Sequence, residues 1–264
     1  MSGAPHITVT VTFHREGPLT VPALGSMRDM VDTARAAGLA VEARAVLDCA
    51  DALTSHTVAT CGGWLDGVQE TSVDDLGLAR NAGVAAAAGE FLAFLDGDDL
   101  WGADWLRLAH AAATKPGAPT EAIWHPAFLY YFVENDFDHH SLTEMPDSAT
   151  QSFYIVHQSS EDPGFQRDVL FLNNVWSANA FSKRAIHCRF PYPATDRRRG
   201  YGFEDWTWNI NTLSSGLPHP IVPDTVHLIR LREAGSLGQR SVNEGLLPRL
   251  PEDAWSQLTS QIRS

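Results

Sequence analysis

The segment that most constrains the fold is an apolar run that ends abruptly in carboxylates, Phe91-Leu92-Ala93-Phe94-Leu95-Asp96-Gly97-Asp98-Asp99. This pattern predicts a buried strand that delivers acid groups to the rim of a sheet, where open α/β sheets bind their ligands. Carboxylates this close repel one another unless a cation or hydrogen-bond donors offset their charge. Their oxygens suit Mg²⁺ or Mn²⁺. A solvated acidic turn, with Asp99 capping the next helix, is the alternative.

A small-residue segment, Leu76–Glu90, precedes this run and contains Ala79-Arg80-Asn81-Ala82-Gly83. Its alanines and leucines favour a helix, and Gly89 is placed to end it. The order and spacing of the two segments resemble the family 2 glycosyltransferases of the GT-A fold (bacterial type). In that family a helix with Ala-Arg-Asn-Xaa-Gly precedes a strand that ends in an Asp-Xaa-Asp motif. The resemblance covers most of residues 7–240 and is strongest at 76–101 and 200–210.

The amino-terminal strands have clear signals. Ile7–Phe13 is mostly β-branched, and Val41–Leu47 is a second strand that ends in Asp48. A helix with apolar residues at helical spacing lies between them and stops at Gly38. Strand, helix and strand form the βαβ unit of a parallel sheet. The glycines of residues 52–73 indicate a turn.

In the second half, the pattern predicts a helix from Trp101 to Ala113 and a strand within residues 122–132. Residues 134–168 are predicted to be an irregular insertion near the acceptor site. No zinc site is expected there, because adjacent histidines (His139 and His140) do not readily face one metal. A short strand is predicted within 173–181 with a helix from near Ser182, a further strand at 223–230, and a surface helix in the tail.

The expected fold class is therefore α/β. It is a single GT-A (Rossmann-like) domain over residues 1–264, with a mainly parallel central sheet and helices on both faces. The resemblance implies a nucleotide-sugar-binding half at 7–101, an acceptor-binding half at 102–240 and a C-terminal tail at 241–264.

The resemblance also implies a donor site at the ends of the first strands. It places Phe13, His14 and Arg15 around the nucleoside and assigns Asp48 to the base, with Asp51 as a nearby second candidate. Alternatively, His14 and Arg15 form a mere turn and Asp48 is a polar cap at the strand end. Further donor contacts are expected from the residues nearer the diphosphate, namely Arg80, Asp96, Gly97 and Arg230, with Arg232 and Ser236 in the same loop as Arg230. An exposed helix position is the other interpretation of Arg80.

The same resemblance implies a divalent cation, Mn²⁺ or Mg²⁺, held by Asp96 and Asp98, with His227 as the remaining ligand. A core or surface histidine is the alternative for His227. Asp99 supports the metal site or caps the next helix.

A second constellation, Arg199-Gly200-Tyr201-Gly202-Phe203-Glu204-Asp205-Trp206-Thr207-Trp208-Asn209, brings an acid pair to the first turn of a predicted helix. The aromatic neighbours provide an apolar surround in which an acid can be tuned for proton transfer. The resemblance assigns Asp205 as the general base and Glu204 as a supporting or acceptor-binding acid. The alternative is a pair of ordinary helix N-terminal acids.

Composition excludes some classes of function. A formal net charge of −13 argues against a general nucleic-acid binder. No stretch is long enough for a membrane span, and the first residues lack the basic and apolar regions of a signal peptide. The cysteines (Cys49, Cys61 and Cys188) form no paired motif, which predicts free thiols and a cytoplasmic protein.

Together these features predict an inverting, metal-dependent transfer of a sugar from a nucleoside diphosphate to an acceptor hydroxyl. The acceptor is left open among a glycan, a lipid-linked intermediate, a natural product and a protein. Two alternatives remain open. One is a non-catalytic nucleotide- or sugar-binding domain. The other is a nucleotidyltransferase, whose glycine-rich first loop with a basic finger is missing here.

Overall fold

The computed structural model describes residues 4–133, 152–232, 237–251 and 254. Strands and helices alternate along the first half of the chain. The strands are β1 (Ile7–Phe13), β2 (Val41–Asp48), β3 (Gly67–Thr71), β4 (Phe91–Asp96), β5 (Leu100–Trp101), β6 (Ile123–Phe132), β7 (Phe153–Val156), β8 (Phe181–Lys183) and β9 (Ile221–Arg230). The helices are α1 (Thr20–Ala36), α2 (Ala52–Cys61), α3 (Leu76–Ala86), α4 (Trp105–Thr114), α5 (Arg184–Arg189), α6 (Glu204–Ser214) and α7 (Leu237–Asn243).

Within the described residues the strands join one sheet in the order β3-β2-β1-β4-β8-β6-β9-β5, and β7 pairs with β6. The first half is parallel: β1 lies between β2 and β4, and β3 adds to β2. The short strand β8 is antiparallel to both β4 and β6, so β6 and its parallel partner β9 point in the same direction as β4. The α/β fold with a mainly parallel sheet is confirmed.

Strand β4 is buried on both faces. Phe91, Ala93 and Leu95 pack in the cluster that contains α1 and α4, whereas Leu92 and Phe94 pack in the cluster that contains α3, α5 and α6. A continuous apolar run is therefore required, because neither face of this strand meets water.

The carboxyl ends of the strands meet at one edge of the sheet. Thr12 near the end of β1 pairs with Asp96, and Phe13 pairs with Leu47 beside Asp48. Phe132 of β6 pairs with Arg230 of β9 at the same edge, because these strands run parallel to β4. This edge therefore brings together strand ends that are far apart in the chain, from Phe13 to Arg230, and it positions the candidate site.

The structure confirms β1, β2, β6, β9 and the helices α1, α3 and α6, and it corrects five sequence-based predictions. The helix predicted from Trp101 starts only at Trp105, because Leu100–Trp101 pairs with β9 as strand β5. Residues 52–73 contain α2 and the edge strand β3 rather than only a turn, because an edge strand needs little apolar character. Residues 134–168, predicted to be irregular, contain strand β7 in their described part. The strand predicted within 173–181 starts only at Phe181. Helix α3 ends at Ala86, before Gly89.

Gly89 has a different role from the predicted helix stop. A Cβ at this position would collide with the backbone of Ile7 and Thr8, so the residue permits a close approach to β1. Its amide donates to Thr8 Oγ1 over 2.8 Å. His139, His140, Ser236 and the predicted tail helix beyond Ala254 lie outside the described residues. In the part of the chain that the structure describes, no helix combines the length and apolarity that crossing a membrane requires.

Candidate active site

A buried arginine joins the two acidic constellations. The Arg80 side chain is 1% exposed, and its guanidinium donates to Asp96 Oδ1 over 2.6 Å and to Glu204 Oε1 over 2.5 Å. Burial by itself lowers the pKa of Arg80, but the charges of Asp96 and Glu204 outweigh burial and raise it. Arg80 therefore stays charged, and it holds the end of β4 against the start of α6.

Helix α3 is built to hold Arg80 in this place. Asp75 caps the helix by accepting from the Leu78 amide over 2.9 Å. One turn later, Asn81 braces the chain before α6, because its amide both donates to Tyr192 O and accepts from Tyr192 N. The Tyr192 ring lies 5.5 Å from the Arg80 guanidinium carbon. The buried Arg80 thus has acidic partners and an aromatic neighbour that offset its desolvation.

The acidic rim after β4 is held by residues at the end of β9. Asp98 pairs with Arg232 over 2.8 Å. Asp99 is buried and accepts from His227 Nε2 and from the Arg230 amide, each over 3.0 Å. Asp99 therefore ties the rim to β9 and does not cap α4, whose N-cap residue is Asp104.

Burial raises the pKa of one rim carboxylate. Burial, together with the nearby charge of Asp99, raises the pKa of Asp98 to about 7, and Arg232 acts in the opposite direction. The charges of Asp96 and Glu16 add to the same effect. Burial and the neighbouring carboxylates thus favour the protonated form of Asp98.

The donor set at this edge fits a divalent cation. Within the described residues, no three side chains of the usual metal-binding types already stand together as a cluster. However, Mg²⁺ commonly takes one or two carboxylates and completes its shell with substrate phosphates and water. Asp96 and Asp98 provide such a pair. His227 contacts Asp99 through Nε2 and Ser177 Oγ through Nδ1 (3.1 Å), so its role as a ligand stays a prediction.

The acid pair of α6 follows a backbone kink. Phe203, which precedes the helix, has φ 56° and ψ 67°, a left-handed conformation that is unusual for a residue with a side chain. Such strain is typical of functional sites. Burial raises the pKa of both Glu204 and Asp205, against the opposing charge of Arg80. Asp205 is partly exposed and can therefore meet a ligand.

The residues predicted for the donor nucleoside lie around the ends of β1 and β2. His14 Nδ1 contacts Asp48 O over 2.6 Å, and Arg15 is exposed beside it. The Phe13 ring is fully buried beneath Gly97, where a Cβ would collide with it. The structure therefore brings His14 and Arg15, but not the Phe13 ring, to the surface of this edge.

Asp48 is buried, and its carboxylate is used within the protein. Oδ1 accepts from Thr71 Oγ1 and from the amides of Val73 and Asp74, and Oδ2 accepts from the Asp75 amide. These contacts fix the loop that leads into α3, which is the role of a strand-end cap. Its contact with a nucleobase stays a prediction.

Two polar residues at this edge were not singled out by the sequence. The pKa of Tyr131, at the end of β6, is raised by burial and then by the charges of Asp99 and Asp205, which belong to the two acidic constellations. The amide of Asn174 donates to Asp205 Oδ2 over 2.9 Å. Neither residue belongs to a local motif, so only the tertiary structure reveals it.

Comparison with known proteins bears on this site. Residues 68–186 match the model of glycosyl transferase family 2. The match covers just under half of the chain and includes Arg80 and the acidic rim. No curated protein matches the sequence.

Solved structures share the fold. S. aureus TarS 1–349 in complex with UDP-GlcNAc is 16% identical, with a TM-score of 0.62 over 97% of this chain and 71% of that chain. The mannosyltransferase PcManGT from Pyrobaculum calidifontis, in complex with GDP-Man and Mn²⁺, is 18% identical, with a TM-score of 0.60 over 100% of this chain and 66% of that chain. Glucosyl-3-phosphoglycerate synthase from Mycobacterium tuberculosis, in complex with Mg²⁺ and UDP, is 12% identical, with a TM-score of 0.50 over 97% and 79%.

These neighbours are larger proteins. This chain spans only 60% of the S. aureus TarS 1–349 chain in another structure and 36% of the chain in a structure of S. aureus TarS. At such low identity the structural likeness establishes the fold, which is that of the GT-A glycosyltransferases. The sequence match at 68–186 is the finding that points to a glycosyl transferase.

Proposed function

We propose that this chain is a metal-dependent, inverting glycosyltransferase that moves a sugar from a nucleoside diphosphate to an acceptor hydroxyl. The observation that carries the proposal is the Arg80 bridge, which joins a carboxylate suited to a cation to an acid pair with raised pKa values. Transfer needs these two groups on opposite sides of the sugar: one beside the departing diphosphate, the other beside the acceptor.

Asp205 is the general base of the proposed reaction. It takes the proton of the acceptor hydroxyl as that oxygen forms a bond to the anomeric carbon. The bond from this carbon to the diphosphate oxygen breaks, and its electron pair leaves with the diphosphate. Burial keeps the pKa of Asp205 above its ordinary value, which makes the carboxylate a stronger base. Glu204, held by Arg80, orients the start of α6 and the acceptor side.

The donor side of the proposal uses the rim of the sheet. A divalent cation held by Asp96 and Asp98, with His227 as the further candidate ligand, would neutralise the charge that develops on the diphosphate. Asp48, His14 and Arg15 face the nucleoside in this proposal. Gly97 permits close approach of the donor, and Arg230 contributes positive charge near the diphosphate. The acceptor is a glycan, a lipid-linked intermediate, a natural product or a protein, and the compartment is the cytoplasm.

The first experiment is calorimetric titration of UDP, GDP, dTDP, ADP and CDP with and without Mn²⁺. We expect one nucleotide to bind in the presence of the metal, and Asp98→Ala to abolish that binding because the cation loses a ligand. Asp104→Ala is the control, since Asp104 is a surface acid that pairs with Arg107. If no nucleotide binds under either condition, the rim is an acidic turn and not a donor site.

The base assignment has its own test. We expect Asp205→Asn to bind the donor normally but to transfer about 10²- to 10⁴-fold more slowly, because the amide cannot accept the proton. Turnover is measured with sugar esters of the nucleoside diphosphate identified above, and Asp104→Asn is the control. Full turnover by Asp205→Asn would refute the assignment. An NMR spectrum of the product reports the anomeric configuration, and retention would exclude the inverting mechanism.

A further inference from the structure

Asn174 contacts the acid that we assign as the base. It lies in the irregular segment before β8, and its Nδ2 donates to Asp205 Oδ2 over 2.9 Å. The other carboxylate oxygen, Oδ1, accepts from the amide of Trp206 over 2.8 Å. Each oxygen of Asp205 therefore has one donor within the protein, and the plane of the carboxylate is fixed by two contacts from different segments.

A second asparagine sets the direction of the Asn174 amide. Asn209 Nδ2 donates to Asn174 Oδ1 over 3.0 Å, and Asn209 itself is buried. Asn209 lies four residues after Asp205 on α6, so both side chains project from the same face of the helix. Because Oδ1 of Asn174 already accepts from Asn209, its NH₂ group is the end that faces Asp205.

We propose that Asn174 is the positioning residue for Asp205: it holds Oδ2 in place, with its own amide direction fixed by Asn209, and so aims the carboxylate at the acceptor. The inference rests on the proposed function, because that function gives Asp205 its role as the base. The contact between Asn174 and Asp205 is independent of it. A donor on a carboxylate stabilises the ionised form, which is the form that can accept a proton. Asn174 thus acts on catalysis through Asp205 and not through the substrate.

Other charged and titratable groups also act on Asp205. Some favour its ionised carboxylate and others oppose it. Arg80 of α3 favours its ionised form, whereas Asp96 of β4 disfavours it. Glu204 is its neighbour on α6, and the pKa values of Tyr131 and Tyr192 respond to its charge. Burial opposes ionisation as well. Without the Asn174 donor, Arg80 and the Trp206 amide still favour the ionised carboxylate.

The test is the titration of Asp205 itself, which does not require activity. Carboxyl-carbon NMR of the full chain with ¹³C-labelled aspartate follows the signal that disappears in Asp205→Asn. We expect the midpoint to rise by about one pH unit in Asn174→Ala, the size expected for a lost hydrogen bond to a charged group. Asn174→Asp, which preserves the volume, should raise it further through like charge. The control is Asn173→Ala, since Asn173 is the exposed neighbour.

Turnover adds a second readout. We expect kcat of Asn174→Ala to fall about 10-fold at pH 7, with the acid limb of its pH profile moved upward and KM for the donor unchanged. A midpoint equal to that of Asn173→Ala overturns the proposal, as does a normal kcat with a raised KM. A raised midpoint in a chain that transfers no sugar refutes the proposed function while the positioning of Asp205 stands.

Discussion

Arg80 shows how one residue can meet several requirements. From the sequence it is either an exposed helix residue or a donor contact, yet in the structure it is buried and pairs with Asp96 and Glu204. Asn81, the next residue, braces the peptide of Tyr192. The Arg-Asn pair in the α3 segment is thus explained by contacts within the protein, which join the end of β4 to the start of α6 and to the chain after α5.

Replacing Arg80 should lower the free energy of unfolding. Arg80→Met keeps much of the side-chain volume but leaves Glu204 buried without its partner, so we expect the free energy of unfolding to fall by about 3 kcal/mol or more. Urea unfolding measures the change. Arg28→Met is the matched control because Arg28 lies exposed on α1 and pairs weakly with Asp32 over 3.8 Å; it should cost less than about 1 kcal/mol. Equal losses in the two variants would contradict the role of Arg80.

At the scale of elements, α3 connects the two halves of the site because small residues let it approach its neighbours. A Cβ at Gly77, in its first turn, would collide with the carbonyl of Pro193 and would lie 3.1 Å from Glu204 Cβ. A Cβ at Gly83 would lie 3.1 Å from Thr10 Cγ2 and 3.4 Å from Phe94 Cε1. Both glycines lower the helix propensity of α3, but they permit contact with the sheet and with the loop before α6.

These opposing effects predict that replacing glycine by alanine changes the free energy of unfolding in opposite directions at two positions. Gly77→Ala should lower the free energy of unfolding by about 1–3 kcal/mol, because the backbone carbonyl must move. Gly25→Ala on α1 should raise it by about 1 kcal/mol, because nothing lies within 4 Å of the added methyl group and alanine is the better helix former. Thermal or urea unfolding of both variants measures this. Stabilisation by Gly77→Ala would show that α3 has room to move.

At the scale of the whole molecule, buried histidines link stability to pH. Burial lowers the pKa of His187 and His219 to about 3 and that of His157 to about 4, and it lowers the pKa of His125 well below the ordinary value. Each of these residues is neutral in the fold but is protonated near pH 6.5 in the unfolded chain. Their contribution is therefore complete above pH 6.5 and is lost as the pH falls towards 3–4. The raised pKa values of Asp98, Glu204 and Asp205 act in the opposite direction.

His187 isolates one such contribution. It stacks on Trp208 with ring centroids 5.0 Å apart, and it is paired with Ser182. Between pH 7 and pH 5 the wild type should lose about 2 kcal/mol of stability through this residue alone. Unfolding measured at both pH values should give a correspondingly smaller difference for His187→Phe, whatever the absolute stability of the variant. His56→Phe, at an exposed position on α2, should leave the difference unchanged.

The sequence by itself determined the elements whose signals are local. Ile7–Phe13 is a strand because its β-branched residues alternate, with the apolar ones in one core cluster, and Phe91–Asp96 is a strand because its apolar side chains have core on both faces. Asp48 and Asp96 lie at the sheet edge because they end buried strands. The parallel α/β fold follows from the alternation of these strands with helices. Edge strand β3 lacks this apolar signal, and the side chains of β7 are apolar but exposed, so the pairing of both strands depends on the neighbouring strand.

Only the tertiary structure decided which groups each acid meets. Arg80 and Glu204 are 124 residues apart in the chain, Asp99 and His227 are 128 apart, and Asn174 and Asp205 are 31 apart. No local pattern specifies such pairs, because a hydrogen bond depends on positions set by the packing of whole helices and strands. Protonation follows the same rule: the burial and charges that raise the pKa of Asp98 come from separate segments. The residue types in the sequence indicated the chemistry of the site, and the fold determined which side chains pair with each acid.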